Sequence, residues 1–214
     1  MKAFDMVGRI FLIGALLGSI VPAGPAESST AAGTGVVSVA PRNSELGAGW
    51  GEREVIFAID PLEQPAEYVN TIPVKNPTQR ARSILEDVRK ALARNGLVGM
   101  TDILYRRSSG DLELVVSRYP DQQSLDKHWK ELSAKFDTNA VAPKVGQSAA
   151  WLDIGAGAPG RMFVFRQGLF TGWAECKVAL SREPLMELVK VTAGKMAKVA
   201  EQTTRTSSAA GSRH

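Results

Sequence analysis

One cysteine, Cys176, stands in a chain of 214 residues. An intrachain disulfide is excluded, and so is a zinc site built on cysteines. Histidine is nearly as scarce, with only His128 and the terminal His214. That excludes a His-rich metal centre. Charge of one sign does not accumulate. The formal net charge of +4 is dispersed along the chain, too weak a signature for nucleic acid. The longest apolar run, Ile10 to Val21, is too short to cross a bilayer as a helix. The strings H-E-x-x-H, G-x-S-x-G and the acidic calcium loop are missing, which removes the sequence signatures of a zincin, an α/β-hydrolase and an EF-hand.

The N-terminus reads as an export signal. Lys2 and Arg9 precede the apolar run, and Val21-Pro22-Ala23 offers small residues for signal peptidase. Gly24-Pro25-Ala26 is a second cleavage candidate. No cysteine follows the apolar run, so lipid attachment at a new N-terminus is excluded. The expected organisation is a signal peptide over 1–23, a disordered linker over 24–45, one α+β domain over 46–202, and a disordered tail over 203–214. The linker is expected from its Ser, Thr, Ala and Gly content.

Within the domain, Glu54 to Ile59 is β-branched and aromatic and predicts a strand. A proline-rich connection follows. Asn76-Pro77 opens a helix whose stripe is Ile84, Leu85, Val88, Ala91 and Leu92, with Gly96 as the stop. Arg82, Glu86, Arg89 and Lys90 form its solvated side. TDILYRR and DLELVVS, joined by SSG, predict a hairpin. Pro120 opens a second helix with Leu125, Trp129, Leu132 and Phe136 on one side. Trp151 to Cys176 predicts an antiparallel meander, its apolar runs separated by GAGAPG and QG. Ser181 to Gln202 predicts a last helix carrying Leu185, Leu188, Val189, Thr192, Met196 and Val199. The expected fold is a single antiparallel, twisted sheet with two or three helices mainly on one face. Ser117-Arg118-Tyr119-Pro120 and Ser181-Arg182-Glu183-Pro184 each sit between a strand and a helix. A duplicated ββα unit is one reading of that match and shared turn chemistry is the other. Duplication would put both helices on the same face.

Candidate chemistry is sparse. Gly155 to Gly160 matches G-x-G-x-x-G as a string, but a strand follows where dinucleotide binding needs a helix, so it reads as a hairpin loop and no cofactor is expected. Cys176 would need a base, and only His128 lies inside the domain. Asp102, Asp111, Glu113, Asp153 and Glu175 lie on or near strands without a pattern, and any two of them could meet in a fold. Aromatic and basic residues concentrate in the meander. Strand alternation places Phe163 and Phe165 on one face with Arg161, and Met162 and Val164 on the other with Arg166. Both faces are thus apolar, and the second must be covered from within, by a partner or by a ligand.

Leu46…Gly49-Trp50, Val145-Gly146-Gln147-Ser148-Ala149 and Phe163-Val164-Phe165-Arg166-Gln167-Gly168 ahead of a final helix resemble, in order from about Trp50 to Val199, a loose group of exported bacterial proteins and lipoproteins of unassigned function. Gln147 stands where that group has an acidic residue, and the lipid-bearing cysteine is absent. The resemblance implies an extracytoplasmic, non-enzymatic α+β domain and carries over no catalytic residue.

The leading expectation is a periplasmic or secreted binding domain with Phe165, Arg166, Phe170 and Trp173 as its ligand surface. Its partner would be an unknown ligand or an envelope protein, with no nucleic acid, no metal and no stable membrane insertion after signal cleavage. The alternatives are a small exported hydrolase using carboxylates or Cys176 with His128, and a self-associating envelope protein, as a homodimer for instance.

Overall fold

Residues 34–63, 65–70, 77–152, 162–176 and 182–211 are described in a computed structural model of the chain. The signal segment, Asp153 and the Gly155–Gly160 loop lie outside them. Among the described residues the chain forms β1 (Trp50–Ile59), β2 (Glu67–Val69), α1 (Pro77–Asn95), β3 (Gly99–Arg107), β4 (Leu112–Arg118), α2 (Gln122–Ser133), β5 (Ser148–Trp151), β6 (Met162–Gln167), β7 (Phe170–Cys176) and α3 (Arg182–Gly211). The strands make one open antiparallel sheet in the order β2-β1-β3-β4-β7-β6-β5. The fold is α+β.

Local chemistry accounts for the boundaries. Helix α1 stops at Gly96, which takes φ +65°, a conformation that costs other residues a steric penalty; Leu97 N–H then bonds the Leu92 carbonyl. Helix α2 starts one residue after Pro120-Asp121, with the Asp121 carboxylate accepting from Ser124 N–H. In β7, Gly172 makes room for a neighbour: a Cβ there would overlap the Phe165 ring.

The sheet is buried on both faces. One face carries Ile103, Tyr105, Leu112, Leu114, Val116, Phe163 and Phe165, and is covered by Leu185, Leu188, Val189, Ala193 and Met196 of α3. The other carries Met100, Val115, Met162, Val164 and Trp173 beneath α1 and α2. Two helices therefore share a face as expected, but α3 lies on the opposite one. The alternation expected for β6 is found, with Phe163 and Phe165 on the α3 side and Met162 and Val164 on the other. Helices α2 and α3, which follow the two similar tetrapeptides, lie on opposite faces, so the spatial consequence of a ββα duplication is not observed.

Two boundaries are corrected. Residues 34–45, expected as linker, form a strap across the α3 side of the sheet. Val36, Val39 and Ala40 are buried in that core. The strap is ordered through its backbone. Val36 N–H donates to Asp60, and Val37 and Ser38 N–H to Glu63. Its carbonyls at Ala40 and Pro41 accept from Arg53, and Pro41 also from the Tyr105 hydroxyl at 2.9 Å. Lys195 on α3 reaches both the Ala40 carbonyl and Glu45. Three small apolar residues suffice when side chains elsewhere satisfy the backbone. The second correction is at the far end, where α3 runs to Gly211, through residues expected as tail. No proline or glycine stops the helix between Met196 and Gly211, so hydrogen bonding propagates from the packed part.

Candidate functional site

The sheet face under α1 and α2 buries Asp102, Glu113, Ser117 and Thr171. Three cross-strand rows run over β3, β4, β7 and β6. The first is Leu104–Glu113–Glu175–Met162, the second Asp102–Val115–Trp173–Val164, the third Met100–Ser117–Thr171–Arg166. Trp173 occupies the middle. Carboxylates lie to one side of it, and hydroxyls with a guanidinium to the other. Asp102 is 2% exposed, Glu113 3% and Thr171 0%. Side chains of these types are seldom so buried.

At the carboxylate end, Glu113 and Glu175 face each other directly across β4 and β7, with Asp102 one row away on β3. Opposed residues on antiparallel strands have Cα atoms about 4.5–5.5 Å apart. All three acids have interaction partners within the molecule. The sequence left these acids unpatterned because Glu113 and Glu175 are 62 positions apart, and only the β4–β7 pairing makes them neighbours.

At the other end, Arg166 donates from Nη1 to Asp126 of α2 at 2.5 Å, and its guanidinium lies 5.2 Å from the centre of the Trp129 ring. The Arg166 contact, followed by that of Gln122, holds the Asp126 carboxyl below its ordinary range. Arg166 Nε and Thr171 Oγ1 are both shut off from solvent and have no hydrogen-bond partner. The Thr171 hydroxyl faces that of Tyr119 without completing a bond of normal geometry. Burial pushes the Tyr119 phenol well above its usual range. His128 of α2 sits 5.5 Å from the Tyr119 ring, and burial lowers its pKa against the opposing pull of Glu131.

The four residues expected as one ligand surface are divided by the sheet. Phe165 and Phe170 are buried on the α3 side, whereas Arg166 and Trp173 face α1 and α2. The reason is the period of two: neighbours in sequence point to opposite faces, and both faces are covered by the chain's own helices. Cys176 and His128 are likewise kept apart. The thiol is buried on the α3 side and the imidazole packs on the opposite face, so this pair cannot act together. Thr171, Ser117, Tyr119 and Asp126 are not among the site residues expected from the sequence. The available signal was parity: Thr171 shares a strand face with Trp173, and Ser117 with Val115.

Among the described residues no group of three or more His, Cys, Asp or Glu side chains is placed to hold a metal, and no helix is long and apolar enough to cross a membrane. No family model, curated protein or solved structure matches the chain.

Proposed function

We propose that the protein is an exported binding domain, periplasmic or secreted, whose ligand engages the sheet face around Trp173 and Arg166. The observation that carries this reading is the polar frame around a central tryptophan inside a helix-covered layer. A purely structural layer gains stability from aliphatic side chains at those positions, because each buried polar group brings a desolvation cost. The opposite face of the same strands buries two hydroxyls, of Thr101 and Tyr105, and each is satisfied by a backbone carbonyl. An indole flanked by hydrogen-bonding groups suits a small ligand with an apolar body and polar substituents. Export enters from the N-terminal segment and from the resemblance to exported proteins. Mass measurement of the protein recovered from a bacterial envelope fraction tests it: loss of 23 or 26 residues supports export, and an intact N-terminus in the cytoplasm defeats it. Binding is tested by capture from native extracts on immobilised wild type and on Trp173→Ala with Arg166→Ala. A ligand retained equally by both counts against this face.

A second reading, hydrolysis by paired carboxylates, draws on the direct opposition of Glu113 and Glu175. Carboxyl pairs about 5–9.5 Å apart serve glycoside hydrolysis, and opposed strand residues are compatible with such spacing. Glu113→Gln and Glu175→Gln, assayed on chromogenic glycosides, decide it. Turnover by wild type that falls at least about a hundredfold in each variant supports it; equal rates remove it.

A further inference from the structure

We infer that the Arg166–Thr171 end of this face is a carboxylate-binding subsite, and that Asp126 occupies it in the free protein. This deepens the binding reading above and rests on it. The groups that converge there are donors: Arg166 Nε–H, the Thr171 hydroxyl and the hydroxyl of Tyr119, with the His128 imidazole beside them. Of these, Arg166 Nε is buried with no partner, and Thr171 Oγ1, directly opposite it on β7, faces only the Tyr119 hydroxyl and completes no bond of normal geometry. A buried donor without an acceptor costs stability unless something else takes up the hydrogen bond. An assembly of donors around one guanidinium calls for an acceptor with negative charge.

The position of Asp126 indicates which anion. It is a carboxylate, already hydrogen-bonded to Arg166 Nη1, on a side chain 54% exposed to solvent. A side chain so exposed is free to rotate away from the guanidinium. The vacated guanidinium edge accepts a planar carboxylate through two parallel N–H donors, with Thr171 as a third. A phosphate dianion fits less well. One guanidinium faces it, and Asp126 on α2 and Glu131 beside His128 would repel the second charge. The ligand is therefore a small molecule carrying a single carboxylate next to an apolar body that reaches Trp173.

The test uses the full chain and acetate as probe, with inorganic phosphate as the comparison. The Arg166 Nε–H resonance, assigned by its loss in Arg166→Lys, should shift saturably with acetate and about tenfold less sensitively with phosphate. Thr171→Val, which keeps the side-chain shape, should weaken acetate binding about tenfold, and Thr171→Ser should restore it. Asp126→Ala should tighten binding, because the internal competitor is gone. The inference is overturned by a shift that never saturates, by equal response to phosphate, or by acetate affinity unchanged in both Thr171→Val and Asp126→Ala. Thermal unfolding of each variant, expected to stay close to wild type for Thr171→Val, shows that the fold is intact. If acetate fails while Trp173-dependent capture persists, only this subsite is wrong; if capture fails as well, the binding reading falls with it.

Discussion

On the α3 side of the sheet, β3, β4, β6 and β7 bury Ile103, Tyr105, Leu112, Leu114, Val116, Phe163 and Phe165. On the α1–α2 side the same strands bury Asp102, Glu113, Ser117 and Thr171 among their apolar residues. Both faces are covered by helices, so solvent does not account for the difference. The α3 side also buries the hydroxyls of Thr101 and Tyr105, but each is satisfied by a backbone carbonyl, of Phe57 and of Pro41 in the strap, and Gly172 is left bare for Phe165. The other side accepts the cost of polar groups in an interior. Proteins tolerate such costs chiefly where a side chain does something besides packing.

The largest test of that contrast is on the apolar side. Phe165→Ala should lower unfolding stability by about 3–5 kcal/mol in denaturant titration while leaving the acetate response of Arg166 in place. A mild loss would mean that this face is not the stabilising one. Next in size is the strap. Asp60 is fully buried, accepts from Arg118 and from Val36 and Leu62 N–H, and so joins the strap to β1 and β4. Asp60→Ala leaves Arg118 largely buried without its carboxylate, and should cost about 3 kcal/mol and speed proteolysis within residues 34–46. A strap that stays protected would return that segment to a linker.

Smaller is Thr171→Val. Its hydroxyl completes no bond of normal geometry but faces that of Tyr119, so its removal should change stability by less than about 1 kcal/mol, read as a denaturation midpoint near that of wild type. The same change on a satisfied hydroxyl, Thr192→Val, removes its bond to the Leu188 carbonyl and should cost more, about 1 kcal/mol. The smallest effect concerns pH. Burial lowers the pKa of His128 from 6.5. The unfolded chain then binds more protons than the folded one as pH falls through 6.5, so stability declines on acidification. The decline ends once the folded imidazole has titrated as well. His128→Gln should flatten the stability profile just below pH 6.5, and an unaltered profile would show that His128 does not contribute to it.

Much of the architecture was legible from short-range patterns. The stripe Ile84, Val88 and Leu92 marked α1, and Leu185, Leu188 and Val189 marked α3, because a helical face repeats every three to four residues. Alternation in Met162–Phe165 correctly showed two buried faces. Alternation could not show which elements would cover them. The strap escaped notice because its order comes from Asp60, Glu63 and Arg53, residues well separated from it whose side chains satisfy its backbone. The candidate site escaped for a related reason. Arg166 and Trp173 lie close in sequence to Phe165 and Phe170, but period-two geometry turns the two pairs to opposite faces.

By itself, then, the sequence determined the kinds and order of the elements other than β2, the two-sided burial of β6 and the exclusion of an intrachain disulfide, since propensity, periodicity and composition are local properties. Tertiary structure alone decided the β4–β7 pairing, and that pairing sets Glu113 against Glu175 and Ser117 against Thr171. It also decided that α2 would close over Arg166 and that α3 would take the other face. Contacts of that range arise from the joint burial of many apolar side chains, and no window along the chain contains them.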